Sequence, residues 1–405
     1  MSLDNALLQS HGVRLYGSDK SNFDIINDII ENNGSEQPFY VVDLGEIVSA
    51  VARWRELLPM VTPYYAVKCN PNPVMLEALA SLDVNFDCAS EAEIKTVVEI
   101  TEDPTRVVFA NPIKMPSQIR YARANDVDLM TFDSEEELYK VKLFHPQAKL
   151  VLRLAVDDSK SICKFNKKFG CTLEQVKEIL VIAKTLKLNV IGFSFHVGSG
   201  CSSADTYYDA LQTVYAASEI AKDLGFQTTL VDIGGGFKGM DEEGSATFVE
   251  ITERITAGIE EFFGEADPPV QFIAEPGRYF VQTSAIVVTS IIGKKTAQEN
   301  GEKIITYYLN DGVYGSFNCN VFDHARPTVQ PFNERNEKRF KTRLFGPTCD
   351  SIDIIADCTS DNPCMLPDMT IGEWVYAENM GAYTSAAASA FNGFKVTTYY
   401  YVLRS

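Results

Sequence analysis

A lysine, a glycine triplet, a histidine-bearing loop and a Glu–Arg pair each follow a β-rich run in this 405-residue chain. Lys68 closes the run YYAVK and precedes Cys69 and Asn70. An amine at the end of a buried strand is costly unless it has a partner or a task. The task that suits it is attack on a carbonyl to form a Schiff base, which needs a desolvated amine. A lysine that merely snorkels to solvent is the plain alternative. Gly234, Gly235 and Gly236 follow the run TTLVDI. Successive glycines let backbone N–H groups close around an anion, although an empty tight turn uses the same residues. The spacing matches neither G-x-G-x-x-G nor a Walker loop. FHVGSG adds His196 and the hydroxyl of Ser199, and EPGR adds Glu275 and Arg278. Arg278 could pair with a phosphate or form an ordinary surface ion pair.

The elements that must position these groups are regular. From Thr62 onward the runs TPYYAVK, VNFDC, RVVFAN, VDLMTF, AKLVLRLAV, NVIGFSFHV, TTLVDIG and QFIAEPG alternate with helically spaced segments such as LEQVKEILVIAKTL and DTYYDALQTVYAASEIAKDLG. Eight strands, each returned by a helix, predict an α/β fold built on a parallel (β/α)8 TIM-like barrel. Catalytic groups in such a barrel gather at the C-terminal rim, where the residues above fall. A doubly wound open sheet is the alternative, and eight near-regular units favour closure. After about Tyr279 the runs VQTSAIVVTSIIGKK, KIITYYLND, GEWVYAENM and FKVTTYYYVL lack intervening helices and predict a second, mainly antiparallel domain. VRLYG near the start reads as a strand that joins that sheet, and VQPFNERNEKRFKTR as a charged loop or edge. The expected division is a barrel over residues 38–282 and a β domain from 1–37 and 283–405.

Composition narrows the partners. A formal net charge of -19 repels phosphate backbones and anionic lipid, so nucleic-acid and membrane-surface partners are not expected. The same charge attracts small cations, or serves only solubility. Nine cysteines occur without a C-x-x-C pair, and the spacing of Cys358 and Cys364 fits no zinc pattern. Reduced thiols in a cytoplasmic protein, with no metal, are the expected state. No apolar run approaches a membrane span, and MSLDNALLQS lacks the basic stretch of a secretory signal.

Eight motifs taken in order are more specific than any one. YYAVKCN, FDCAS, HVGSG, DIGGGF, EPGRYF, FNCNVFDH, GPTCDSID and MGAYTSAAASAFNGF resemble the eukaryotic ornithine decarboxylases, and the likeness runs from roughly Pro38 to the last residues. Those enzymes are of the alanine-racemase type (fold III), with a barrel, a β domain, pyridoxal 5'-phosphate and active sites at a homodimer interface. The resemblance implies decarboxylation of L-ornithine to putrescine and CO2. It leaves two rivals: a decarboxylase of lysine, arginine or diaminopimelate, and an inactive homologue like the antizyme inhibitors.

Carried over by motif, Lys68 is similar to the lysine that holds the cofactor, and His196 to the imidazole stacked on its ring. Ser199, Gly234, Gly235, Gly236, Gly277, Arg278 and Tyr383 resemble the phosphate cradle and its surroundings. Asp87, Glu93 and Arg153 match charged residues near the lysine and cofactor. Glu275 matches the acid beside the pyridine nitrogen. Decarboxylation leaves two electrons at Cα, and the ring absorbs them best when that nitrogen is protonated. Racemases of this fold carry an arginine there, so Glu275 favours a decarboxylase. Asp323 and Asp350 match carboxylates that bind the distal ammonium, Cys349 the thiol that reprotonates Cα, and Phe391 an aromatic wall beside the substrate. Phe322 departs from the tyrosine usual in animal enzymes. The sequence ends at YYYVLRS, so the long degradation tail of the animal enzymes is not expected. ANPIKMPSQIRYARANDVDLMTF corresponds to the antizyme-binding segment, which makes antizyme a candidate partner; Asp126 and Asp128 render it less basic and count against that partner.

Overall fold

The computed structural model describes residues 3–34, 36–163, 167–333, 337–358 and 363–404. Two compact units emerge, one of Ser49–Phe280 and the other of Leu3–Val48 with Val281–Ser405.

The first unit is a closed parallel barrel of β1 (Val61–Ala66), β2 (Asn85–Cys88), β3 (Val107–Phe109), β4 (Leu129–Phe132), β5 (Lys149–Arg153), β6 (Asn189–Ser194), β7 (Leu230–Asp232) and β8 (Gln271–Ala274). Closure comes from β8 pairing with β1, Phe272 opposite Val61 and Ile273 opposite Thr62. The eight expected runs are these eight strands, and the sheet is closed, not open. Strands covered on both faces become nearly continuous apolar runs, as in VVF of β3, buried throughout. The helices between them start on local signals. Asn72 caps Pro73–Ser81, and Thr172 with Gln175 and Thr247 with Glu250 form capping boxes for Leu173–Thr185 and Phe248–Phe263. Trp54, 1% exposed, packs against Phe237, Phe248, Tyr279 and Phe280 and donates its indole N–H to the Val61 carbonyl at 3.0 Å.

The second unit is a ten-stranded sheet. Its main path runs Arg14–Tyr16, Thr398–Arg404, Phe39–Asp43, Ala285–Glu299, Glu302–Leu309, Arg339–Phe345 and Ile354–Ala356. Ala285–Glu299 pairs antiparallel with three neighbours, so the sheet is mainly antiparallel as expected. VRLYG supplies the strand that joins it, parallel to Thr398–Arg404. Two details differ from the sequence reading. The division falls at Ser49 rather than near residue 38, because Phe39–Asp43 pairs within this sheet. All five residues of FYVVD are buried, and a short apolar run looks alike in a barrel and in a sheet core. Arg339–Phe345 is an interior strand rather than a loop or edge, paired on both sides. Thr342 and Leu344 point inward, both fully buried, while Arg339, Lys341 and Arg343 alternate with them and mask the period. Residues 334–336 of that segment lie outside the described residues.

Candidate active site

Six barrel residues gather where the strands end. Lys68 lies on the single turn Val67–Cys69 that follows β1. Val67 and Cys69 are buried and anchor the turn, leaving the Lys68 side chain 43% exposed. Its Nζ donates to Asp87 Oδ2 in β2, a carboxylate only 1% exposed. Arg153 ends β5, His196 lies two residues past β6, Asp232 ends β7 and Glu275 directly follows β8. This is the C-terminal rim, where barrel enzymes place their chemistry.

The glycines are required by close backbone approach. Gly234 has φ +64, and a Cβ there would lie 2.1 Å from the Phe195 carbonyl oxygen. One on Gly235 would meet the Glu275 carbonyl oxygen and His196 Nε2, each at 2.8 Å, and one on Gly236 the Gly198 carbonyl oxygen at 2.7 Å. The loops after β6, β7 and β8 therefore touch backbone to backbone, and a side chain would fill the cradle between them. Glu275 N–H donates to the Gly234 carbonyl at 2.7 Å, Cys201 N–H to Gly236 at 3.2 Å, and Tyr207 Oη–H to Gly235 at 3.0 Å. Ser199 is fixed by a two-bond bridge to Cys163. Gly277 packs on Cys69, and half-buried Arg278 opens the short helix Arg278–Val281.

Charge in the barrel mouth is finely opposed. His196 Nδ1 accepts Gly198 N–H at 3.0 Å, which places the ring proton on Nε2. Burial, then the charges of Arg153 and Lys68, hold its pKa well below the usual histidine range, so the ring is neutral at physiological pH. Burial, then Asp232 and Asp87, push Glu275 well up; Lys68 and Arg153 oppose them. Burial likewise raises Asp232 to about 7. Glu93 accepts Ala89 N–H at 2.6 Å, and burial raises its carboxyl too. Asp87 Oδ1 and Asp232 Oδ2 are buried without a hydrogen-bond partner. Orphaned acceptors of this kind mark a polar site built for something more than its own folding.

The second unit holds the other candidates. Tyr314 Oη–H donates to Asp350 Oδ2 at 2.5 Å, and its ring stacks on Phe391 with centroids 4.3 Å apart. That hydrogen bond is the chief reason Asp350 lies below the usual carboxylate range. Cys349 is exposed, with its N–H on Asn392 Oδ1 at 3.0 Å. Buried Asp353 accepts from Val313 N–H, Thr348 N–H and Thr348 Oγ1–H, so it joins the turns bearing Tyr314 and Cys349. Asp323 is buried on a separate turn after Cys319–Phe322, and Phe322 is 67% exposed. Tyr383 is half-buried at φ +55. A bulky residue in that region stores strain of about 1–3 kcal/mol, which tends to persist at functional sites.

Two residues of these clusters were not singled out from sequence. Asp232 stands inside DIGGGF, and the argument applied to Lys68, a charge ending a buried strand, would have found it. Tyr314 had a weaker signal, an aromatic between two glycines in DGVYGS.

An amine paired with a buried carboxylate, a glycine cradle, a neutral imidazole and two buried carboxyls raised by burial, all on one barrel rim, define a class. It comprises barrel enzymes that hold an aldehyde-bearing aromatic phosphate through a lysine. The chain belongs to the pyridoxal-dependent decarboxylases, whose pyridoxal binding domain matches residues 44–282. It is 44% identical over 390 residues to the ornithine decarboxylase of Rattus norvegicus, covering 93% of this chain and 83% of that protein. It is 42% identical over 390 residues to antizyme inhibitor 2 of Xenopus laevis, covering 94% of this chain and 84% of that protein. Among solved structures, the arginine decarboxylase of Paramecium bursaria Chlorella virus superposes with a TM-score of 0.87 at 35% identity, over 94% of this chain and 100% of that one. Pyridoxal phosphate is the cofactor of this family, and the glycine cradle, the orphaned acceptors and Lys68 fit it.

Proposed function

We propose that the protein removes CO2 from L-ornithine to make putrescine, acting in the cytoplasm as a homodimer whose subunits complete one another's active sites. The barrel rim carries the reading: Lys68 held by Asp87, and Glu275 held with Asp232 beside the glycine turn. Identity to the rat ornithine decarboxylase over most of both chains supports the substrate. Among the described residues no helix is long and apolar enough to cross a membrane.

Pyridoxal phosphate, when bound, supplies an electrophilic carbonyl and a ring that takes up the electrons left at Cα. The remaining work falls to the chain. Lys68 offers the amine, and Asp87 orients it. The Gly234–Gly236 turn, Ser199, Arg278 and Tyr383 would hold the phosphate, with Arg153 adding positive charge nearby. His196 offers a neutral, flat face to the ring, and Glu275 holds the proton at the pyridine nitrogen. Cys349 returns a proton to Cα. Asp323 and Asp350 take the distal ammonium, a charge that remains on the product, and Phe391 walls the pocket.

The inactive reading, prompted by the antizyme inhibitor relative, is disfavoured because Lys68, Glu275, Arg278, Cys349 and Tyr383 are all retained. Asp126 and Asp128 weaken the case for antizyme as a partner. Purified protein supplied with pyridoxal phosphate should release putrescine from ornithine and turn over lysine, arginine and diaminopimelate more slowly. Highest turnover on another of the four would replace the substrate but keep the chemistry. Asp323→Asn should lower kcat/KM for ornithine roughly 10–100-fold, the worth of one charged hydrogen bond, mainly through KM. Cofactor absorbance should not change. Unaltered discrimination among the four amino acids would place the distal amine elsewhere.

A further inference from the structure

We propose that Asp232 is a positioning residue of this site, which shares one proton with Glu275 and fixes the glycine turn, so that a proton remains at the Glu275 position across the working pH range. The inference rests on the pyridoxal-phosphate reading above and assigns the proton supply of its electron sink.

Asp232 ends β7 and is 1% exposed. Its Oδ1 accepts Gly234 N–H at 2.8 Å. The carbonyl of Gly234 in turn accepts Glu275 N–H at 2.7 Å. One carboxyl thus sets both the turn and, through it, the backbone of Glu275. The other oxygen, Oδ2, is buried and finds no donor among the described residues. Gly234 ties the two residues together through both bonds, and each carboxyl acts on the other electrostatically. Two neighbouring buried carboxyls resist ionising together, because burial disfavours each charge and the charges repel. A single proton between them satisfies the orphaned oxygen and removes the repulsion.

The surroundings agree. Burial raises both groups, Asp232 to about 7 and Glu275 well above its usual range. Asp87 on β2 raises both further, while Arg153 on β5 opposes it at both and Lys68 at Glu275. Tyr64 on β1 is itself held up partly by the Asp232 charge. His196 contributes no charge, being neutral. The negative potential of Asp232 raises the proton affinity of whatever Glu275 faces. At a pyridine nitrogen this keeps the proton in place as pH rises.

A purely structural role for Asp232 would be to tie the turn, and two variants separate the roles. Asp232→Asn keeps a carbonyl oxygen for Gly234 N–H but donates to Glu275 instead of sharing a proton. Asp232→Ala loses both interactions. With Asp232→Asn, kcat should fall roughly 10–100-fold, as for partners that tune a reacting centre from behind, with KM little changed. The alkaline limb of kcat/KM and of the visible cofactor absorbance should move down by on the order of one pH unit. Asp232→Ala should also weaken pyridoxal-phosphate binding. Infrared difference spectra of wild type against Asp232→Asn, without added cofactor at neutral pH, should show a protonated carboxylic acid only in wild type. That band stands or falls independently of turnover, so loss of the decarboxylase reading and loss of this one are told apart. Absence of the band, or an Asp232→Asn enzyme with the wild-type pH profile, overturns the proposal and leaves Asp232 a turn-forming residue.

Discussion

Lys68→Ala is expected to abolish putrescine formation, by on the order of 10^4-fold or more, and to leave pyridoxal phosphate without a covalent link to the protein. The size follows from the proposal, in which Lys68 would act at both ends of the cycle, offering the amine that holds the cofactor and the amine that frees the product. Its turn is held by buried Val67 and Cys69 rather than by the lysine, whose side chain is 43% exposed. The fold should therefore survive. The substitution does strip Asp87 of its cation, and leaving one member of a buried ion pair alone is destabilising. Lys68→Arg separates the two effects. A guanidinium keeps a positive charge beside Asp87, stays protonated and cannot serve as the nucleophile. Wild-type thermal stability with no activity is the expected result for arginine. Borohydride trapping followed by peptide mass analysis would find the cofactor on Lys68 in wild type alone. Trapping on another lysine, or activity within tenfold of wild type, would sink the assignment.

The barrel was legible because its strands are short apolar runs, each closed by a residue that does not belong in a core. Lys68, Asp87, Arg153 and Glu275 stand at such ends, and the cost of placing charge there makes them visible one at a time. Asp232 obeys the same rule but stands beside three glycines, which drew the attention. The glycines themselves were read as an anion turn, whereas the need for them includes neighbouring backbone at Phe195, Gly198 and Glu275. That contact depends on loops far apart in sequence, so spacing within DIGGGF cannot express it. Tyr314 escaped for a related reason. Its role comes from Asp350 and Phe391, which lie well beyond it in the chain. The domain limit near residue 38 was misplaced because FYVVD is equally apolar in either setting, and only its pairing with Ala285–Glu299 and Thr398–Arg404 decides.

Mixing two dead enzymes should restore activity if the proposed homodimer shares its sites. Lys68 belongs to the barrel unit and Cys349 to the other unit. In the proposal each active site takes Lys68 from one subunit and Cys349 from its partner. Cys349 is exposed and its backbone N–H bonds to Asn392, so Cys349→Ala should remove the thiol without disturbing the turn. Lys68→Ala and Cys349→Ala homodimers should each show only background putrescine formation. When subunits exchange, about half of the dimers carry one of each. Each such dimer holds one doubly damaged site and one intact site, so about a quarter of all sites regain both residues. Activity should climb from background to about a quarter of the wild-type value, a gain on the order of a thousandfold or more given the loss expected for Lys68→Ala. Tags of different size show that exchange has occurred. If both residues act within one chain, every site keeps one lesion and nothing is recovered. Exchange without recovery would therefore place Lys68 and Cys349 in the same subunit's site, whereas an active Cys349→Ala homodimer would remove Cys349 from the chemistry.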